Sequence, residues 1–148
     1  MHKFDAYAKF VESTTSDASK NTLGLSSRIL KLEGTTSSMT RLDGTVEREA
    51  EIHMATLLTS VIGMMAESGE FAEVVKKKIF QADTQFTEDE IFHMKRELGD
   101  VLWYWVQGCT ALGFTPHEVM NENIKKLEQR YPNGFEVIRS EVRADGDI

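Results

Sequence analysis

Apolar positions recur at helical spacing over most of this chain. Between residues 46 and 80, Met54, Leu57, Leu58, Val61, Met64, Met65, Ala72, Val75 and Ile79 fall on one stripe. That spacing, close to the helical period, predicts a long amphipathic helix. Gly63 and Gly69 interrupt the stripe, each costing about 1 kcal/mol relative to alanine, and leave room for a bend. Residues 81–86 read as a turn. Thr87-Glu88-Asp89-Glu90 then fits a capping box, in which a threonine hydroxyl and a glutamate three residues on satisfy each other's backbone amides. It predicts a second helix over 87–112, with Ile91, Met94, Leu98, Leu102, Trp105 and Cys109 inward and Gly113 as the stop. Thr115-Pro116-His117-Glu118 repeats the box with proline at the first helical position. The helix it opens runs to about Arg130. Phe4, Tyr7, Ala8 and Val11 mark one face of a short helix near the start.

Residues 13–45 carry a different pattern. Ser, Thr, Gly, Asn and Asp dominate there, and these side chains compete with helix through local hydrogen bonds or backbone freedom. The expectation is a long, loop-rich insertion, with at most a short helix over Leu25–Leu32. Residues 136–148 read as a partly mobile tail. The chain is therefore expected to be a single all-α domain over 1–148. Its frame is a helical bundle built on an antiparallel hairpin (46–80 with 87–112) plus a C-terminal helix (115–130).

Composition narrows the function. The chain has 148 residues and a formal charge of −7, which argues against broad attraction to nucleic acid. Its longest apolar run, Val101–Val106, falls far short of the roughly 18 residues needed to cross a bilayer. Cys109 is the sole cysteine, so neither an internal disulfide nor a cysteine-rich zinc site is available. A cytoplasmic setting is the default expectation.

The chemistry concentrates in two acidic pairs, Glu67/Glu70 and Glu97/Asp100, each spaced i, i+3 on one helix face. Either pair alone is an ordinary solvated face. Their placement is more informative, because Glu67 and Asp100 are equidistant from the point midway between residues 83 and 84, and so are Glu70 and Glu97. That point lies in the predicted turn. An antiparallel hairpin therefore brings both pairs to one height, at the edge of the helix–helix seam. Like charges about 5 Å apart repel by roughly 3 kcal/mol at an effective dielectric of about 20. A hard divalent cation relieves that repulsion. With neither thiolates nor paired histidines on offer, Mg²⁺ is the expected ion and Mn²⁺ a substitute.

Other features are weaker. Glu90-Ile91-Phe92-His93 has the Glu-x-x-His spacing of di-iron bundles, but no second copy exists, so His93, like His2 and His53, is expected at the surface or in packing. Lys76-Lys77-Lys78 is explained by a helix end and by pairing of Glu73 with Lys77, with phosphate contact the minor alternative. Asn123, Lys126 and Arg130 share one face of the last helix: an ordinary polar face alone, a phosphate clamp beside a metal site. Trp103 points away from the Trp105 stripe, as a subunit contact or a base-stacking platform. Phosphate-binding glycine loops and the nucleophile-elbow motif are absent.

Three segments together resemble a known family. Glu67-Ser68-Gly69-Glu70-Phe71-Ala72-Glu73-Val74-Val75-Lys76-Lys77, Glu97-Leu98-Gly99-Asp100-Val101-Leu102-Trp103-Tyr104 and Asn123-Ile124-Lys125-Lys126-Leu127-Glu128-Gln129-Arg130-Tyr131-Pro132 look like the MazG-type nucleoside triphosphate pyrophosphohydrolases, closest to short, single-domain, phage-encoded members. The resemblance spans about residues 50–135. It implies an all-α fold, usually dimeric or tetrameric, and Mg²⁺-dependent hydrolysis of (d)NTPs to the monophosphate and pyrophosphate, in the host cytoplasm for a phage protein. It implies metal-binding, catalytic roles for Glu67, Glu70, Glu97 and Asp100. Tyr104 matches a pocket position, and Asn123, Lys126, Arg130 and Tyr131 match a substrate-side motif. Ala66 stands where some members carry a further glutamate proposed as general base, which leaves the water-activating group open. The rival expectation is a non-catalytic helical module that binds a nucleotide such as an alarmone, or a partner protein.

Overall fold

A computed structural model describes residues 3–40, 46–82 and 84–141. Helices dominate, and the chain falls into two units, Met1–Met54 and Ala55–Ile148.

The first unit holds α1 (Lys3–Thr14), α2 (Asp17–Lys20), α3 (Thr22–Leu32) and a hairpin of β1 (Thr36–Thr40) with β2 (Val46–Glu51). This corrects the expectation that 13–45 is mostly loop, while the short helix expected over Leu25–Leu32 falls within α3. The same polar residues that weaken helix interiors serve here as its caps. Ser16 accepts from the Ser19 amide, and Asn21 accepts from the Leu23 and Gly24 amides. The hydroxyls of Thr14 and Thr15 donate back to the carbonyls of Phe10 and Val11. Residues 41–45 lie outside the described residues.

The hairpin also corrects the expected start of the long helix at residue 46. Val46 to Ile52 alternates glutamate with other residues, a period of two rather than 3.6. Gly34, at φ +71°, turns the chain out of α3 into the left-handed region that glycine tolerates. The pairing then continues past the strands, with the Ile52 amide donating to Thr35 and the Gly34 amide to Ile52. Glu33 closes the unit: its carboxylate accepts from the Met54 amide at 2.7 Å and lies 3.8 Å from His53 Nδ1.

The second unit carries α4 (Met54–Lys77, its first residue excepted), a π-helical turn (Lys78–Ala82), α5 (Glu88–Ala111), α6 (Pro116–Arg130) and α7 (Val137–Glu141). Both capping boxes form, Thr87 with Glu90 and Thr115 with Glu118. Gly113 stops α5 as expected, at φ +78°. The Phe114 amide reaches the Cys109 carbonyl and the Gly113 amide the Thr110 carbonyl, a Schellman closure. Of the expected tail, 137–141 is helical, and 142–148 lie outside the described residues.

α4 and α5 pack as an antiparallel hairpin at two close approaches. α4 runs through Gly63 without a break, because Gly63 makes room for an aromatic ring: a Cβ there would overlap the Tyr104 side chain. At Gly108, an added Cβ would sit 2.6 Å from Ser60 Oγ. Ser60 is buried at this seam, and Cys109 and Ala111 are buried near the end of α5. Burial also pushes the Cys109 thiol up, as suits a packing residue. Ile91, Leu98 and Leu102, expected inward, are each more than half exposed within one chain. The hairpin seam is narrow, so much of the apolar stripe stays uncovered.

Candidate functional site

The hairpin register decides what meets across it. Ser60 faces Gly108 and Gly63 faces Tyr104, so one turn further along Glu67 comes level with Asp100 and Glu70 with Glu97. Donor oxygens of Glu67, Glu97 and Asp100 all lie within 4.8 Å of one another. A second group with the same spacing joins Glu70, His93 and Glu97. Glu97 belongs to both and is only 6% exposed, whereas Glu70 and Asp100 are exposed and Glu67 is half-buried. The four carboxylates therefore converge around one buried member.

Their electrostatics are unresolved by protein cations. Among the described residues, no lysine or arginine pairs with Glu67, Glu70, Glu97 or Asp100. Burial pushes the Glu67 carboxyl above the ordinary carboxylate range, and a hydrogen bond with Glu97 adds to the effect. The negative charges of Glu70, Glu97 and Asp100 contribute further. Oxygen donors this close, with no fixed counter-charge, suit a hard divalent cation.

His93 is the residue that sequence reasoning missed. Its Nδ1 lies 3.2 Å from Glu97 Oε1, one turn before it on α5. The i, i+4 spacing to Glu97 was the usable signal, rather than the Glu-x-x-His spacing to Glu90. Beside this pair opens a cleft of about 490 Å³, lined among others by Gly69, Glu70, Glu73, Lys77 and His93. A volume of that order falls in the range of small-molecule sites.

Lys78 was missed too. The π-turn carries it away from the Lys76/Lys77 surface, where both side chains pair with Glu73 as expected. Lys78 is 9% exposed and donates to Glu90 at 2.8 Å and to Thr84 at 3.0 Å. Glu90 also accepts from the Thr87 amide and hydroxyl. The Lys78 ammonium, with the Thr87 amide behind it, holds the Glu90 carboxyl down at about 2.

The substrate-side residues form a group of their own. Asn123 and Lys126 lie exposed on α6. At its C-terminal end, the Arg130 guanidinium sits 6.0 Å from the centre of the Tyr131 ring, and Tyr131 packs on Phe135 at 5.3 Å. Tyr104 lies over Gly63, with Trp103 edge-on to it at 4.8 Å and 58% exposed.

Residues 55–135 match the family model described as the MazG nucleotide pyrophosphohydrolase domain, more than half of the chain. The chain belongs to the MazG family. The matched stretch of this MazG domain begins at the first residue of the second unit and includes all four carboxylates and His93. The chain is also similar to "Gene 37 protein" of Mycobacterium phage L5, 34% identical over 73 residues. That alignment covers 49% of this chain, which spans about 64% of the relative's length. No solved structure matches the chain. Among the described residues, no helix is long and apolar enough to cross a membrane.

Proposed function

We propose that this MazG domain hydrolyses nucleoside or deoxynucleoside triphosphates to the monophosphate and pyrophosphate, with Mg²⁺ as the working ion and Mn²⁺ as a substitute. The observation that supports it is the meeting of Glu67, Glu70, Glu97 and Asp100 across the α4–α5 seam with no lysine or arginine among the described residues to neutralise them. These four carboxylates would hold the ion. When bound, Mg²⁺ supplies charge neutralisation at phosphate oxygens and lowers the pKa of water. The water oxygen bonds to the α-phosphorus and gives up a proton to solvent, the bond from that phosphorus to the bridging oxygen breaks, and pyrophosphate leaves with the electron pair. Lys126 and Arg130 neutralise charge on the phosphates. Asn123 and Tyr131 stand with them on the phosphate side, while Tyr104 lines the nucleotide pocket.

The uncovered apolar residues of α4 and α5 support assembly into a homodimer or homotetramer. A phage-encoded copy would work in the host cytoplasm. Pyrophosphate release across a panel of NTPs and dNTPs tests this reading. The expected result is release that chelation abolishes and that Glu70→Gln or Asp100→Asn lowers by at least about a hundredfold, on the scale of lost electrostatic stabilisation. Tight nucleotide binding without turnover by any substrate would overturn it in favour of a binding module.

A further inference from the structure

We propose that His93 makes the site two-sided: Glu67, Glu97 and Asp100 form an all-oxygen subsite for Mg²⁺, while Glu70, His93 and Glu97 form a mixed nitrogen–oxygen subsite that selects a later first-row dication such as Co²⁺ or Ni²⁺. This rests on the reading that the four carboxylates bind metal.

The two groups share Glu97 but differ in donor chemistry. In each, one donor atom per residue lies within 4.8 Å of the others. Imidazole nitrogen favours later first-row dications over Mg²⁺, which prefers oxygen and gives up its waters reluctantly. Glu97 is more than nine-tenths buried, and the side chains that meet it are Glu67 and His93, both prospective ligands. A buried carboxylate with no lysine or arginine among the described residues to neutralise it calls for a cation from outside. His93 Nδ1 lies 3.2 Å from Glu97 Oε1, which sets the imidazole against the carboxylate the two groups share. Glu70 and His93 both line the cleft, so this subsite opens to solvent and to ligand. The His93 side chain is 47% exposed, so replacing it disturbs little packing.

The test titrates the untagged, metal-free full chain with Co²⁺ against a background of saturating Mg²⁺, following the cobalt absorption bands and the heat of binding. The wild type is expected to keep a Co²⁺ site with a nitrogen-ligand spectrum. His93→Gln should weaken Co²⁺ by at least about tenfold, the scale on which a metal site responds to loss of an orienting or ligating group. Its Mg²⁺ affinity should stay within about threefold of the wild type on the same reasoning. His117→Gln, whose ring bonds to Asn121 on α6, should change neither. Co²⁺ affinity unchanged in His93→Gln, or equally lost in His117→Gln, would overturn the proposal. If Mg²⁺ binding that Glu97→Gln abolishes persists in that case, the four-carboxylate reading stands alone. A wild type that binds neither ion would end both.

Discussion

Burial of Glu67, its contact with Glu97 and the negative charges of Glu70 and Asp100 all disfavour its ionised form. The Glu67 carboxyl is therefore raised in the folded chain. A raised carboxyl binds its proton more tightly folded than unfolded, so without metal it costs stability as pH climbs from the unfolded value through the folded one. Glu67→Gln, which keeps a donor to Glu97, should raise the melting temperature of the metal-free chain at pH 7 and leave it unchanged near pH 4. In saturating Mg²⁺ the order should reverse, because the variant loses ligand stabilisation. A metal-free melt at pH 7 no higher than wild type would contradict this electrostatic picture. The four carboxylates were legible from spacing alone, since two i, i+3 pairs equidistant from one turn leave little freedom. His93 was not, because its Glu-x-x-His spacing pointed to a bundle chemistry that needs a second copy. Lys78 was not, because a π-turn shifts the register after Lys77 and sends the third lysine inward.

At the scale of elements, the hairpin depends on where two glycines face. Gly63→Ala gains about 1 kcal/mol of helix propensity but drives a methyl into the Tyr104 ring, an overpacking that costs about 1–3 kcal/mol. Denaturant unfolding should show net destabilisation. Gly69→Ala meets nothing within 4 Å and should stabilise by about 0.5–1 kcal/mol. Equal effects at the two positions would contradict the close approach. The turn end is held by Lys78 on Glu90. A carboxyl held down at about 2 adds stability that is present above the ordinary carboxylate range and lost as pH falls toward 2. Lys78→Met should therefore be less stable at pH 7 and show a shallower loss between pH 5 and 2 in thermal melts, and an unchanged acid profile would contradict the clamp. The hairpin and α6 were legible because two capping boxes and a proline mark their starts. The first unit was not, because Ser16 and Asn21 act as caps whose polar character reads equally as loop. Of the two strands after Gly34, β2 carries a period of two over Val46–Ile52 that was open to reading, whereas the polar Thr36–Thr40 of β1 reads equally as loop and gains its form only by pairing.

For the whole molecule, the exposed apolar residues matter most. Ile62 and Met65 on α4 and Leu98, Leu102 and Trp103 on α5 are all more than half exposed in one chain, an apolar display that marks interaction surfaces. With assembly into a homo-oligomer, light scattering should give a mass at least twice that of one chain, and Trp103→Glu should shift it toward the monomer. A monomeric wild type at micromolar concentration would contradict assembly. The carboxylate cluster itself lies within a single hairpin, so its metal binding should survive that variant. The most direct measurement of what the cluster does is turnover of a triphosphate in ¹⁸O-labelled water with Mg²⁺. Water attack at the α-phosphorus predicts the label in the nucleoside monophosphate and none in pyrophosphate. Label in pyrophosphate, or a diphosphate released with orthophosphate, would contradict the account.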